Sequence, residues 1–249
     1  MTFSGKTVVI TGAGSGVGRA LAHGFAGDGA DVFGIGRTAA DLEQTAAGCA
    51  GRMQFVTGDV AREADVERLF EAVTRRHGKV DVLINNAALY PKRNFLEGSH
   101  AEWAHALETN VIGLALCCRK ALPGMLERGH GRIINMGSFA WKGPGPAASA
   151  YCASKAAVTV FTAALASEID RARYPDVLVN ELLAGVFRTR MSDTGEDPAA
   201  AYPHARTVAS LPAGGPHGQI FVRSQVFVEE HGLRARVKRI FRRLTGGGD

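Results

Sequence analysis

The chain has 249 residues, 46% of them hydrophobic, and a formal net charge of +5 at pH 7. These values are ordinary for a soluble globular protein. The N-terminal residues do not resemble a secretory signal, and no apolar run approaches the ~18 residues of a membrane span. We therefore expect a cytoplasmic protein.

The positive charge is concentrated at the C-terminal end. Residues 233–249 hold six basic side chains and one acidic one, so that the rest of the chain is neutral. A neutral body does not favour a nucleic-acid partner. The four cysteines lie in apolar contexts without C-x-x-C spacing, which predicts free buried thiols and no metal site: Cys49, Cys117, Cys118 and Cys152.

Short apolar runs alternate with amphipathic helical segments from the start of the chain. Strands are predicted at 6–12, 31–36, 53–60, 80–88, 131–138, 177–185 and 218–222. Helices are predicted at 17–29, 38–49, 63–78, 99–122 and 150–172. Thr38 is a candidate N-cap, Ser99 and Glu102 form a capping box, and Pro123 is expected to end the fourth helix. The alternation predicts an α/β fold, a doubly wound seven-stranded parallel sheet with helices on both faces.

The turn between the first strand and the first helix is rich in glycine. Its sequence, TGAGSGVG at 11–18, has alternating glycines and so departs from the spacing G-x-G-x-x-G. Glycines still let the backbone turn tightly and approach a pyrophosphate, whose charge lies over the N-terminus of the following helix. This strand–turn–helix context predicts nucleotide binding; a tight loop without a ligand is the alternative.

The end of the second predicted strand indicates which dinucleotide binds. Gly36 offers no carboxylate for a ribose 2′-hydroxyl, and Arg37 follows it. An arginine can meet a 2′-phosphate with bidentate geometry. We therefore favour NADP(H), with NAD(H) possible; the alternative is that Arg37 is a solvated side chain at a strand end.

The segment SAYCASKAAV at 149–158 places one phenol and one cation on a predicted helix. Tyr151 and Lys155, four residues apart, lie on the same helix face. A nearby cation favours the phenolate, so that this tyrosine can exchange a proton with a carbonyl or alcohol oxygen. Taken alone, such a pair is more often found at a solvated surface.

Together these motifs resemble the short-chain dehydrogenase/reductase family, over about residues 1–222. The resemblance rests on TGAGSGVG at 11–18, GDV with Asp59, NNAA at 85–88, TNV with Asn110, NMGS with Ser138 and YCASK at 151–155. It implies that Tyr151 is the catalytic acid/base and that Lys155 lowers its pKa and holds the nicotinamide ribose. It also implies that Ser138 bonds the substrate oxygen and that Asn110 supports a proton-relay water chain.

The resemblance also implies a cofactor site. Asp59 is assigned to the adenine, Asn86 to the adenosine region, and the loop after the sixth strand to the nicotinamide. The full predicted set is Gly12, Ser15, Gly16, Val17, Gly18, Arg37, Asp59, Val60, Asn86, Ala87, Ala88, Tyr151, Lys155, Val186 and Thr189. Two positions depart from the family pattern: Ala88 replaces a glycine, and Ala184 replaces the proline of Pro-Gly.

We therefore predict an NADP(H)-dependent oxidoreductase that interconverts a carbonyl and a secondary alcohol. The alternatives are an NAD-preferring dehydrogenase and a non-catalytic nucleotide sensor on the same fold; epimerisation or dehydration is less expected in so short a chain. Apolar and aromatic walls suit a mid-sized hydrophobic substrate, and are predicted to be Tyr90, Phe139, Trp141, Phe187 and the segment 190–208.

Residues 1–232 are expected to form one NAD(P)-binding catalytic domain, which includes a mobile substrate flap at 190–217. Residues 233–249 form a predicted basic amphipathic tail. We favour packing of its apolar stripe on this subunit or a neighbour, because the stripe is short for stable membrane anchoring, and the family resemblance implies a homodimer or homotetramer. Contact with an anionic membrane surface or an acidic partner is the alternative.

Overall fold

A single eight-stranded sheet organises the computed structural model, which describes residues 3–228. The strand order is β3-β2-β1-β4-β5-β6-β7-β8. The strands are β1 (Thr7–Thr11), β2 (Asp31–Gly36), β3 (Met53–Thr57), β4 (Val82–Asn85), β5 (Gly131–Met136), β6 (Val177–Leu183), β7 (Ile220–Val222) and β8 (Gln225–Val226). The first seven pair in parallel, which confirms the predicted doubly wound sheet.

Helices cover both faces of this sheet. They are α1 (Gly16–Gly27), α2 (Ala39–Ala47), α3 (Glu63–His77), α4 (His100–Leu107), α5 (Leu114–Arg128), α6 (Ser149–Ser167) and α7 (Ala201–Ala209). Alternate strand residues enter two apolar clusters. Val8 and Ile10 pack with α1, α2 and α7, whereas Val9 packs with α3, α5 and α6. The strands are thus buried on both sides, which is why they are continuous apolar runs.

The sheet has one strand more than the sequence predicted. The β8 strand pairs antiparallel with β7, and Arg223 in the turn between them has a φ of 56°. A two-residue strand is too short to show a period-2 pattern. The prediction of seven parallel strands is therefore correct for β1–β7 and incomplete at the edge.

The predicted helix at 99–122 is wrong in its interior and at its end. A π-helical segment, Glu108–Gly113, separates α4 from α5. Pro123 lies inside α5, which runs to Arg128 and ends at Gly129 with a left-handed φ of 64°. Buried Cys118, Ala121 and Met125 hold α5 on the sheet on both sides of the proline. Tertiary packing therefore outweighs the hydrogen bond that Pro123 cannot donate.

The segment 190–217 contains structure that its composition did not indicate. A 3₁₀ turn, Pro198–Ala200, leads into α7, where Ala201, Ala205 and Val208 are buried beside α1. The segment is thus not one continuous loop, and its role as a substrate flap stays a prediction. The predicted tail, 233–249, lies outside the described residues.

Among the described helices, α6 alone has the length and mean hydropathy of a possible membrane span. It buries Ser154, Lys155 and Val158 as it packs on β6 and the sheet. A core helix of a folded protein passes the same test of length and composition, so this one helix is weak evidence for a membrane span.

The capping box predicted at Ser99 is present at the start of α4. The Glu102 amide donates to the Ser99 Oγ at 3.2 Å, and the Ser99 amide donates to the Glu102 Oε2 at 2.9 Å. Ser99→Ala removes the hydroxyl acceptor and should lower the free energy of unfolding by about 1 kcal/mol. Ser99→Thr, which keeps the hydroxyl, is the control. Denaturant titration that finds equal stability for both variants contradicts this assignment.

Candidate active site

The glycine turn after β1 forms a cradle for an anion. Gly12 and Gly16 have left-handed φ values of 67° and 52°, which favour glycine. Ser15, the N-cap of α1, makes no side-chain capping bond, so its hydroxyl leaves the first-turn amides of the helix available. Such amides, with the helix dipole, bind phosphate groups. The turn therefore fits the pyrophosphate of a dinucleotide.

Gly18 lets α1 pack closely on this turn. A Cβ atom at Gly18 would lie 2.1 Å from the Gly12 carbonyl oxygen and 2.6 Å from the Asn86 Nδ2. The same Nδ2 donates to the Thr11 carbonyl at 2.9 Å and to the Gly12 carbonyl at 3.3 Å. Asn86 thus ties the end of β4 to the glycine turn, while its predicted contact with the adenosine stays untested.

The loop after β6, which is predicted to hold the nicotinamide, meets the glycine turn. A Cβ atom at Gly16 would lie 3.0 Å from the Thr189 Cγ2, and Val186 is exposed. A cavity of about 630 Å³ opens here; its lining includes Gly16, Arg19, Arg188, Thr189 and Tyr202. The glycine turn and the predicted nicotinamide loop therefore border one open space.

The residues predicted to hold the adenosine include an exposed side chain, Arg37. Arg37 is exposed, and its Nη1 lies 3.4 Å from the Nε2 of His105. Asp59 accepts a bond from the Ala61 amide at 3.0 Å, and Val60 is buried against Gly113. Ala87 and Ala88 continue the edge beyond β4 and are partly buried. All these residues follow carboxyl ends of strands, where doubly wound sheets bind ligands.

Three of the four predicted catalytic side chains lie together at the end of β5: Ser138, Tyr151 and Lys155. Ser138 is the N-cap of a 3₁₀ turn, Phe139–Trp141, and its side chain is hydrogen-bonded to that of Tyr151. Lys155, one turn after Tyr151 on α6, is 4% exposed and donates from Nζ to the Met136 carbonyl at 2.7 Å. The Lys155 Nζ lies 5.8 Å from the centre of the Tyr151 ring.

The electrostatics of Tyr151 differ from the sequence-based expectation. Burial raises the pKa of Tyr151 above its ordinary value, and the hydrogen bond with Ser138 acts in the opposite direction. The Lys155 ammonium group donates to the Met136 carbonyl, and the predicted lowering of the Tyr151 pKa by Lys155 stays a prediction. Burial also lowers the pKa of Lys155, to about 8, against a raising effect of Glu181.

Asn110 lies within the π-helical segment and connects three parts of the site. Its Oδ1 accepts from the Leu89 amide at 2.7 Å, and its Nδ2 donates to the Leu89 carbonyl and to the Ser154 Oγ. Ser154 in turn donates to the Tyr151 carbonyl at 2.7 Å. The loop after β4 is therefore fixed to α6, which accounts for the stacking of Tyr90 on Tyr151.

The predicted aromatic walls divide into three groups. Tyr90 stacks on Tyr151 with ring centres 4.6 Å apart. Phe139 is 43% exposed and makes an edge contact with Phe227, whereas Trp141 is partly buried. Phe187 is buried in the core, so the structure does not place it on an open pocket wall. Sequence reasoning missed Phe227, because the short β7–β8 hairpin that carries it was not recognised.

Two further features escaped sequence reasoning. Glu181 is a buried carboxylate in the apolar strand β6. An acidic residue within the apolar run VLVNELLAG could have indicated from the sequence a buried charged group. Of the cysteines, Cys49, Cys117 and Cys118 are buried free thiols as predicted, but Cys152 beside Tyr151 is partly exposed.

The parallel sheet, the phosphate cradle and the Ser–Tyr–Lys group define an NAD(P)-dependent oxidoreductase. A family model described as short chain dehydrogenase matches residues 6–199. The chain belongs to the short-chain dehydrogenase/reductase family. The hypothesis of a non-catalytic nucleotide sensor is therefore set aside.

Relatives cover most of the chain. A probable short-chain type dehydrogenase/reductase of Bradyrhizobium diazoefficiens is 35% identical over 225 residues, 86% of this chain and 77% of that protein. An NADPH-dependent pterin aldehyde reductase of Arabidopsis thaliana is 33% identical over 226 residues, 87% and 93% of the two chains. The crystal structure of a 3-ketoacyl-(acyl-carrier-protein) reductase from Brucella melitensis complexed with NADH superposes with a TM-score of 0.82 at 28% identity, covering 90% of this chain and 100% of that one.

Close packing at Gly18 gives a direct test of the cradle. Gly18→Ala places a methyl group against the Gly12 backbone, and should cost about 1–3 kcal/mol of stability and weaken cofactor binding. Gly27→Ala is the matched control, because a Cβ there meets nothing within 4 Å at the other end of α1. Thermal unfolding and cofactor titration check both variants; equal behaviour would contradict the close approach.

Proposed function

We propose that the protein is an NADP(H)-dependent reductase or dehydrogenase acting on a carbonyl/secondary alcohol pair. The observation that carries this proposal is the convergence of Ser138, Tyr151 and Lys155 at the end of β5, in the same parallel sheet whose first strand leads into the glycine turn. When bound, the nicotinamide supplies or accepts the hydride. The rest of the chemistry is the placement of one substrate oxygen and the movement of one proton.

Ser138 and Tyr151 handle the substrate oxygen. Their side chains are hydrogen-bonded to each other, so both hydroxyls can reach one carbonyl oxygen bound beside them. During reduction, Tyr151 donates its proton to that oxygen; during oxidation, the phenolate takes the alcohol proton. The raised pKa of buried Tyr151 favours the protonated phenol, which is the form that reduction requires.

Lys155 has two tasks in this proposal. Its ammonium group carries three N–H donors, of which one is directed to the Met136 carbonyl. The others can bind the hydroxyls of the nicotinamide ribose. Its charge, 5.8 Å from the centre of the Tyr151 ring, also offsets the phenolate left behind by proton donation.

The substrate is proposed to be a mid-sized, mainly apolar carbonyl compound or alcohol. Tyr90, which stacks on Tyr151, and the Phe139–Phe227 pair, which begins directly after Ser138, supply aromatic surface. The sequence predicts that Phe187 lines the same pocket, but we do not include it in the proposed wall because it is buried in the core. Aromatic and apolar walls with a few polar groups are typical of pockets for such ligands.

NADP(H) is preferred in this proposal because of Arg37. It is exposed at the end of β2, the position from which a ribose is read, and His105 lies beside its guanidinium. Among the relatives, one is named for NADPH and one was solved with NADH, so that family membership alone does not decide the preference. The cytoplasmic location and the homo-oligomer stay predictions.

Arg37 can be tested by titration with both cofactors. Arg37→Ala removes a charge-assisted phosphate contact and should weaken NADPH binding by about 1.5–3 kcal/mol while NADH binding changes little. Arg52→Ala removes the same charge from the opposite end of β2, where Arg52 pairs with Asp31, and should leave both affinities unchanged. Equal affinity of the native protein for NADPH and NADH overturns the preference.

Tyr151 can be tested by removing only its hydroxyl. Tyr151→Phe keeps the stacked ring, so it should retain cofactor binding and lose about 10²–10⁴ in turnover. Tyr90→Phe is the control, since it removes the other hydroxyl of the same stacked pair. Steady-state rates on a ketone and alcohol panel give the answer. Near-native turnover by Tyr151→Phe refutes the assigned proton transfer.

A further inference from the structure

Glu181 is a buried carboxylate in the middle of the sheet. It is 1% exposed, on β6, between Asn135 of β5 and Ile220 of β7 in the strand register. Burial of an ionisable carboxyl is unfavourable unless charges and hydrogen bonds compensate for the lost water. The partners of this side chain therefore indicate what it does.

One oxygen of Glu181 is satisfied by a hydroxyl, and the other is not. The Thr159 Oγ1 on α6 donates to the Oε1 at 3.0 Å. The Oε2 is buried and has no hydrogen-bond partner among the described residues. Thr159 lies one helical turn after Lys155, so that the carboxyl group faces the same stretch of α6 as the catalytic lysine.

Gly137 provides the space for this carboxyl group. A Cβ atom at Gly137 would lie 1.8 Å from the Glu181 Oε1, so a larger residue would displace it. The preceding carbonyl, that of Met136, accepts the bond from the Lys155 Nζ. Glu181 and Lys155 therefore both contact residues 136–137, directly before Ser138.

Lys155 is the charged group that acts on Glu181 within the described chain. Each of the two charges favours the ionised form of the other. The neighbouring strands contribute Asn135, Gly137 and Ile220, none of which titrates. The charge–charge interaction is therefore between the carboxylate of Glu181 on β6 and the ammonium group of Lys155 on α6.

We propose that Glu181 is a positioning residue that keeps Lys155 in its charged form at and above neutral pH. Through Lys155 it extends the alkaline range in which the cofactor ribose is held and Tyr151 can donate its proton. This inference rests on the proposed roles of Lys155 and Tyr151, and it adds a residue to them.

The pKa directions agree with this geometry. Burial raises the pKa of Glu181 to about 7, with Thr159 and Lys155 acting in the opposite direction. Burial lowers the pKa of Lys155 to about 8. Glu181 is thus neutral at low pH, where Lys155 is fully protonated without it. Glu181 becomes ionised as the pH approaches the range in which Lys155 would lose its proton.

Glu181→Gln tests this by removing the charge while keeping a similar shape. The rate of carbonyl reduction should match the native protein below about pH 6. Above that, its alkaline decline should shift to lower pH by about 1 unit, because the carboxylate that favours the ammonium form of Lys155 has been removed. NADPH binding, followed by cofactor fluorescence across the same pH range, should show the same shift without any substrate.

Thr159→Val is the matched control, because it removes the hydroxyl bond to Glu181 and leaves the charge. Its alkaline decline should move much less than that of Glu181→Gln. Identical pH profiles for native protein and Glu181→Gln overturn the proposal, and so do equal shifts in both variants, which would indicate a packing role. Glu181→Met is a second uncharged variant if Gln impairs folding.

The binding profile also separates this inference from the proposed function. If no substrate on the panel is turned over but the NADPH profile shifts in Glu181→Gln, the reaction assignment fails while the control of Lys155 by Glu181 stands. If Glu181→Gln turns over substrate normally and neither its rate profile nor its NADPH-binding profile shifts, the reaction assignment stands and the control of Lys155 by Glu181 fails.

Discussion

The close approach of α1 to the carboxyl end of β1 is the constraint on which the rest of the site depends. It requires a residue without a side chain at Gly18, since only hydrogen fits against the Gly12 carbonyl. It also requires the Asn86 amide, which bonds that carbonyl and the one before it. Because Asn86 directly follows the neighbouring strand β4, one set of contacts fixes the glycine turn and the edge that continues toward Tyr90.

The sequence allowed β1–β7 and the helices α1, α2, α3 and α6 to be predicted in order because periodicity and glycine turns are local properties. β1–β7 all lie within predicted runs, and Ser138, Tyr151 and Lys155 converge as their motifs implied. What failed depended on tertiary contacts. Pro123 does not end its helix, Phe187 faces the core, and Phe227 reaches Phe139 through a hairpin of minimal length. None of these outcomes is encoded within one helical turn or one strand.

The environment of Tyr151 shows why a charge pair cannot be interpreted from spacing alone. The i, i+4 relation correctly places Lys155 beside Tyr151, but not the direction of its ammonium group. Burial dominates the phenol, and the ammonium group bonds the backbone before Ser138. Burial is also the main cause of the shifted pKa values of Glu181 and Lys155, so spacing alone does not give the charge state of any member of this group.

The contact between α1 and α7 has a consequence for how the protein folds. Phe25 of α1 packs edge-on against Tyr202 of α7, and Arg206 bonds Asp28 at 2.6 Å across a separation of 178 positions. The first β–α unit is thus completed by a helix that is made much later in the chain. Such long-range contacts close slowly. During synthesis, the part of α1 that contacts Tyr202 and Arg206 therefore stays uncovered until α7 has been made, and uncovered apolar surface favours aggregation.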